Sequence, residues 1–161
     1  MPIPNSSATL RLVYQQQDTR LTLREGLAEY YEANPDLVDP RETSTADLGV
    51  YFRNHDVSHV LFGTTTSLRD EGLQDMWTFL AIDVTKREYV AEFMGTEEGK
   101  QIMRKIPIWG SLKGIVWLIG MTPSLIWRSR RMTKKWPWRG WESYLDEPLG
   151  EIRREFRLRV L

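Results

Sequence analysis

The sequence predicts an all-α protein, a single-domain bundle of about six to seven helices over residues 1–161. Nearly every periodic stretch has apolar residues at i, i+3, i+4 and i+7, which is typical of helices with one buried side. The 161 residues, 41% of them hydrophobic and 27% charged, are enough for one core. The chain contains no cysteine, which excludes a disulfide framework, a thiolate zinc site and a cysteine nucleophile.

The N-terminal residues 1–17 are expected to be weakly structured, with a short strand or coil over Leu10 to Tyr14. The opening Met-Pro-Ile-Pro-Asn-Ser-Ser has neither a basic region nor an apolar stretch. We therefore expect no secretory signal or transit peptide, and a cytoplasmic location. The first helix is predicted from about Arg20 to Ala33, where Asn34-Pro35 ends it.

The next predicted helix carries the two histidines of the chain, His55 and His59. Histidines four residues apart on a helix point the same way, so both can bind one metal ion. The stop is expected at Gly63, and Ser44, Thr45 or Asp47 can cap the start. The inner stripe consists of Leu48, Tyr51, Phe52, His55, His59 and Phe62, and the outer side of Arg53, Asn54 and Ser58.

Two acidic residues lie near the histidines in the sequence. Asp56 lies at the flank of the stripe, where it can either bind the metal or orient His59 by a hydrogen bond. Glu71 lies in the first turn of a further helix, which Ser67 caps with Asp70 at the capping-box position. Spacing alone places Glu71 on a solvated side with Asp75 and Thr78, because Leu73, Met76, Trp77 and Leu80 form the apolar side. Glu71 can reach the histidines only if that polar side lines an internal cavity.

The pattern His-Asp-x-x-His, eleven residues, Glu resembles the metal-binding signature of the coenzyme Q (ubiquinone) biosynthesis family conventionally numbered fourth among the Coq proteins. The tail, Arg139-Gly-Trp-Glu-Ser-Tyr-Leu and Leu149-Gly-Glu-Ile-Arg-Arg-Glu-Phe156, is also similar to the end of that family. The likeness covers residues 45–156. The chain departs from it at Thr65 and Asp70, where the family often has Pro and Gly.

The resemblance implies that His55, Asp56, His59 and Glu71 bind a divalent metal and form the catalytic site. It also implies a polyprenylated 4-hydroxybenzoate-derived substrate, from which the ring C1 carboxylate is removed at the membrane surface. The resemblance implies zinc, whereas the nitrogen and oxygen ligands by themselves suit zinc, iron(II) or manganese equally. A metal with an open position acts as a Lewis acid on such a substrate. Protons would then move through a metal-bound water, Asp75 or Asp70.

After helices predicted over Lys86 to Met94 and Thr96 to Lys105, residues 106–127 form an apolar segment rich in tryptophan. Its longest uncharged run, Gly114 to Trp127, has 14 residues. A membrane-spanning helix needs ~20, so this segment is not one. It is either a lipid-contacting or membrane-contacting surface or a buried core helix followed by a solvated basic face. The candidate lipid contacts are Trp109, Ile115, Trp117, Leu118, Trp127, Arg128, Arg130 and Arg131.

The charges divide between the two parts of the chain. Residues 1–100 carry 9 Lys/Arg and 17 Asp/Glu, whereas residues 101–161 carry 13 and 5. The two parts can pair within the fold, or the basic part can contact phosphates or anionic lipid. A nucleic-acid partner is not expected, because no nucleic-acid motif is present. The last helix is predicted over Pro148 to Arg159, with Leu149, Ile152 and Phe156 inside and Arg153, Arg154 and Arg157 facing outward.

Two alternatives to a decarboxylase remain. One is a non-catalytic scaffold that binds prenyl lipid for a quinone-biosynthesis complex and uses the metal only to join two helices. The other is a metal-dependent hydrolase, although the His-Glu-x-x-His helix of metalloproteases has Glu where this chain has Asp56. Expected partners are a polyprenylated aromatic compound or prenyl lipid and other quinone-biosynthesis proteins. The surface of the inner membrane and a second copy of the chain are further candidates.

Overall fold

A computed structural model of the protein describes residues 11–37, 46–95 and 108–160, without the side chains of 46–49 and 108–118. This part of the chain contains six α-helices, two 3-10 turns and no strand beyond two isolated bridges, which confirms the all-α prediction. The helices are α1 (Leu23–Ala33), α2 (Ala46–Phe62), α3 (Leu68–Ala81), α4 (Lys86–Gly95), α5 (Ile108–Ser129) and α6 (Leu149–Glu155). The 3-10 turns are Val13–Gln15 and Trp141–Tyr144.

The histidine helix α2 lies at the centre of the fold and is buried on all sides in its second half. It packs against α1, α3, α4 and the first 3-10 turn. The expectation that Asn54 and Ser58 face outward is wrong, since they are 4% and 0% exposed. Hydrogen bonds allow this burial: Trp141 Nε1 donates to Asn54 Oδ1 at 2.7 Å, and Ser58 Oγ donates to the Asn54 carbonyl at 2.8 Å.

Helix α2 ends where the sequence predicts. Gly63 has a φ of +74°, the left-handed conformation that glycine adopts at little cost. The amides of Gly63 and Thr64 both donate to the His59 carbonyl, at 2.9 and 3.0 Å. Asp47 lies inside the helix and is therefore not its cap, whereas Ser44 and Thr45 lie outside the described residues.

Helix α3 is buried on two sides rather than one. Trp77 stacks on Phe62 of α2 with ring centroids 4.7 Å apart, and the backbone of α3 packs along α5. Gln74 and Thr78 on the polar side are both 0% exposed. Gln74 contacts Thr64, directly after α2, so part of that side faces the end of α2, and the expectation of a solvated position is wrong for Thr78.

The start of α3 follows the prediction in part. The Ser67 side chain accepts from the Asp70 amide at 3.2 Å, as an N-cap does. The Asp70 carboxylate does not complete a capping box with Ser67. It accepts from the amide and the hydroxyl of Thr65, at 2.8 and 2.7 Å.

The C-terminal helix is shorter than predicted, and one of its arginines points inward. Leu149, Ile152 and Phe156 are buried as expected. Arg153, expected to face solvent, is 0% exposed. Its guanidinium donates to four carbonyls, those of Leu61 and Val60 at the end of α2 and those of Tyr14 and Gln16. These acceptors satisfy the buried cation, which is why the helix can place an arginine in the core.

The remaining elements follow the predictions in part. The N-terminal segment forms a 3-10 turn at Val13–Gln15 rather than a strand, and the helix predicted over Thr96 to Lys105 lies outside the described residues. Helix α1 begins after Thr22, which forms a capping box with Glu25. Among the helices described, none is long and apolar enough to span a bilayer, as expected for α5.

Candidate metal centre

Three side chains from two helices meet at one point of the fold. His59 Nε2 lies 3.5 Å from Glu71 Oε1, and His55 Nε2 lies 3.7 Å from Glu71 Oε2. One ligand atom from each of the three residues lies within 4.8 Å of the other two, and this is the group that could hold an ion among the described residues. The structure therefore places at one site the two histidines and Glu71, which the sequence pattern had indicated.

The local structure explains this convergence. His59 is one turn before the end of α2, and Glu71 is in the first turn of α3. The left-handed Gly63 ends one helix and the Ser67 cap starts the next, so a short connection places the two turns side by side. Because α3 turns its polar side toward α2, Glu71 faces the histidines.

The distance from each histidine Nε2 to its nearer Glu71 oxygen suits two ligands of one metal ion. Two ligands bound to zinc at about 2.1 Å with tetrahedral angles are about 3.4 Å apart. The separations between Glu71 and the two Nε2 atoms, 3.5 and 3.7 Å, are close to that value. His59 Nε2 is buried and has no hydrogen-bond partner. A buried nitrogen of this kind is expected where a cation binds, because buried polar atoms otherwise find a hydrogen bond.

Two tyrosine rings stack on the imidazoles and restrict their rotation. The Tyr51 ring stacks on His55 with centroids 5.8 Å apart and planes inclined by 17°. The Tyr30 ring stacks on His59 at 5.7 Å and 22°. Both tyrosines are buried, so each histidine can rotate little within the site.

The environment keeps both imidazoles neutral. Burial lowers the pKa of His55 to about 3, helped by His59 and opposed by Glu71, and burial lowers the pKa of His59 to about 3 as well. Burial also raises the pKa of Glu71 above its usual range, with His55 acting in the opposite direction. Neutral imidazole is the form that binds metal ions.

The site opens toward solvent on the Glu71 side. The Glu71 side chain is 39% exposed and that of His55 13%, whereas that of His59 is 0% exposed. A ligand entering the site therefore meets Glu71 and His55 first, and His59 forms the floor.

The structure places Asp56 outside the three-residue group. Its carboxylate accepts a hydrogen bond from the Tyr31 hydroxyl at 2.9 Å, and the residue is 5% exposed. Its role as a fourth ligand stays a prediction.

The two carboxylates considered for proton transfer differ in their surroundings. Asp70 is bound by Thr65, so the two positions where the chain departs from the family pattern contact each other. Asp75 accepts from the Tyr89 hydroxyl at 2.8 Å. Desolvation raises the pKa of Asp75 to about 6, against the effect of the Tyr89 hydrogen bond, and the charge of Glu71 raises it further.

Sequence reasoning missed the residues that surround the ligands, which are Tyr30, Tyr51, Thr64 and Gln74. Thr64 Oγ1 lies 2.9 Å from His59 Nδ1, and Gln74 contacts Thr64 from α3. The Thr64-Thr65-Thr66 run was the available signal, because hydroxyls directly after a helix end can reach its last turn. Nothing in the sequence marks the two tyrosines as part of the site, because their positions resemble those of ordinary core residues.

The predicted lipid-contact residues lie on α5 and just beyond it. The side chains of Trp109, Ile115, Trp117 and Leu118 lie outside the described part of the chain. Trp127 is 53% exposed, and the Arg131 guanidinium lies 4.0 Å from the centroid of its ring. Arg128 donates to the carbonyls of Arg159 and Val160, whereas Arg130 is exposed.

The chain was compared with known protein families, curated proteins and solved structures, and none of the three comparisons gives a match. The family resemblance therefore stays a prediction that rests on the quoted sequence patterns. The case for a metal site rests on those patterns and on the geometry described above.

Proposed function

We propose that this protein binds one divalent metal ion and removes the C1 carboxylate of a prenylated, 4-hydroxybenzoate-derived ring in quinone biosynthesis. One observation carries the proposal, the convergence of His55, His59 and Glu71 on a single point. The fold class and the tail sequence agree with it but would also suit other proteins.

The three residues would hold the metal through two imidazole nitrogens and one carboxylate. This set suits zinc, with iron(II) and manganese as further candidates. When bound there with an open position, the metal supplies Lewis-acid chemistry, which draws electron density from a carboxylate or ring oxygen. Tyr30 and Tyr51 exclude water from the sides of the two imidazoles.

We propose that Asp75 supplies the proton of the reaction. It follows Glu71 by four residues on α3, so both carboxylates lie on one side of that helix. The bond between C1 and the carboxylate carbon breaks, its electron pair stays on C1, and the Asp75 proton forms the new C–H bond as carbon dioxide leaves. Part of Asp75 is exposed, so solvent can return its proton, while the groups packed around its carboxyl still desolvate it and raise its pKa.

We also propose that the end of α5 contacts the inner membrane from the cytoplasmic side. Ile119 and Trp127 are 65% and 53% exposed, Arg131 lies over the Trp127 ring, and Arg130 is exposed. Apolar side chains next to arginines suit the boundary between acyl chains and anionic headgroups. This contact would bring the site near prenylated substrates and near other quinone-biosynthesis proteins.

The test uses purified, metal-loaded protein and a prenylated 4-hydroxybenzoate labelled with ¹³C in its carboxylate. We expect labelled carbon dioxide from the wild type and none from His59→Ala, with both proteins folded by circular dichroism. Substrate binding without carbon dioxide release would contradict the decarboxylase and would support the scaffold alternative. Hydrolysis of phosphate esters that is lost in His59→Ala would support the hydrolase.

A further inference from the structure

We propose that Thr64 and Gln74 hold His59 in the tautomer that carries its proton on Nδ1, so that Nε2 is free for a cation before any cation binds. The two residues are positioning residues that act through His59. The inference deepens the proposed metal site, and its importance for function rests on that site.

The hydroxyl of Thr64 decides the tautomer, because it has one proton and two neighbours. It lies 2.9 Å from His59 Nδ1 and 3.2 Å from Gln74 Oε1. An amide oxygen can only accept, so the Thr64 proton goes to Gln74. Thr64 Oγ1 must then accept from His59, which places the imidazole proton on Nδ1.

The orientation of the Gln74 amide is fixed by Thr78, one turn further along α3. The Thr78 hydroxyl donates to the Gln74 main-chain carbonyl at 2.9 Å, so Thr78 Oγ1 can only accept from the Gln74 side chain. Gln74 Nε2 faces that oxygen at 3.5 Å, which turns Oε1 toward Thr64. If the Gln74 amide were reversed, Oε1 would face the Thr78 hydroxyl, whose proton is already donated to the main-chain carbonyl.

Burial makes this hydrogen-bond chain a stable arrangement. His59, Gln74 and Thr78 are 0% exposed and Thr64 is 2% exposed, so water does not compete for the hydrogen bonds. The backbone of Thr64 is also held, because its carbonyl accepts from the Tyr14 hydroxyl at 2.8 Å.

The hydrogen-bond chain links both halves of the metal site. It joins His59 on α2 to Gln74 on α3, and Gln74 follows Glu71 by three residues on the same side of that helix. One set of contacts therefore orients His59 Nε2 and fixes the rotation of α3 that presents Glu71. None of these contacts involves a metal, so they would hold the site together before a cation binds.

The first test is the tautomer of His59 in metal-free protein at pH 8, measured from imidazole ¹⁵N chemical shifts. The chain has two histidines, so His55→Gln assigns the signals. We expect Nδ1–H in the wild type and in Thr64→Ser, which keeps the hydroxyl. We expect Nε2–H in Thr64→Val, because Nδ1 then faces a methyl group and Nε2–H can donate to Glu71. A wild type with Nε2–H, or a Thr64→Val tautomer equal to that of the wild type, would overturn the inference.

The second test is zinc affinity by competition with a chelator. We expect Thr64→Val and Gln74→Met to bind zinc about 10–100-fold more weakly than the wild type, and Thr64→Ser to bind within about threefold. Equal affinities would overturn the inference even if the tautomers differ. If Thr64→Val does not fold, Gln74→Met decides both tests. A wild type that keeps Nδ1–H but binds no zinc would refute the proposed function and leave the tautomer assignment supported.

Discussion

At the scale of single residues, burial and neighbouring charges compete to set the pKa values of the site. Desolvation lowers the pKa of both histidines to about 3, although Glu71 attracts a proton on His55. Burial therefore has a larger effect on the pKa of His55 than the neighbouring carboxylate of Glu71 has. Near neutral pH the two imidazoles are unprotonated, and a cation does not have to displace protons from them.

Asp75 carries the main pH prediction. Because its pKa is raised to about 6, the protonated form that can donate is present below pH 6 and is lost as the pH rises through that value. We expect decarboxylation to fall above about pH 6 and to fall about 10²–10⁴-fold in Asp75→Asn, with metal content unchanged. The measurement is the rate of carbon dioxide release against pH.

Tyr89→Phe is the matched control for this prediction. The Tyr89 hydrogen bond lowers the pKa of Asp75, so its loss should move the alkaline limb of the rate profile to higher pH. Wild-type rates in Asp75→Asn would show that another group supplies the proton.

The sequence predicted the residues of the site better than their surroundings. The spacing of His55 and His59 is a local property of one helix, and the structure places both as expected. Spacing placed Glu71 on a solvated side, and its side chain is indeed 39% exposed, but spacing alone could not show that the same side reaches the histidines. Gln74 and Thr78 are polar and buried, and their hydrogen bonds appear only when α2 and α3 pack.

At the scale of helices, Arg153 connects α6 to the end of α2 and to the N-terminal turn. Replacing it with methionine removes this donor from three buried carbonyls, those of Tyr14, Val60 and Leu61, whereas the Gln16 carbonyl keeps the Thr19 amide. Unpaired buried acceptors are costly, so we expect Arg153→Met to lower the free energy of unfolding by about 2–4 kcal/mol. Denaturant titration of the two proteins measures this difference.

The neighbouring Arg154 provides the control. It is exposed and contacts Glu151 on its own helix, so Arg154→Met should change stability by less than about 0.5 kcal/mol. Equal effects of the two substitutions would show that the carbonyl contacts of Arg153 contribute nothing specific. Helical spacing alone places Arg153 on the stripe of Leu149, Ile152 and Phe156, at the i+4 position. The outward prediction followed its charge instead of its position.

At the scale of the whole molecule, local periodicity was enough to predict an all-α fold, but it could not predict how the helices pack. Ion pairs join the two parts of the chain in both directions: Arg139 of the basic part pairs with Glu92 of the acidic part, whereas Arg24–Asp146 has the reverse polarity. Such surface pairs contribute little to stability. The burial of the second half of α2 and the inward side of α3 depend on contacts between distant residues, which no single periodic stretch contains.

The central claim is that His55, His59 and Glu71 bind one divalent cation, and X-ray absorption of the zinc-loaded protein tests it most directly. We predict one zinc per chain, with two imidazole nitrogens and a carboxylate oxygen at about 2.0–2.2 Å. Glu71→Gln should weaken binding, whereas the control Glu142→Gln, at an exposed carboxylate on the second 3-10 turn, should not. A zinc ion without imidazole ligands, or one bound equally well after both histidines are replaced with alanine, would contradict the claim.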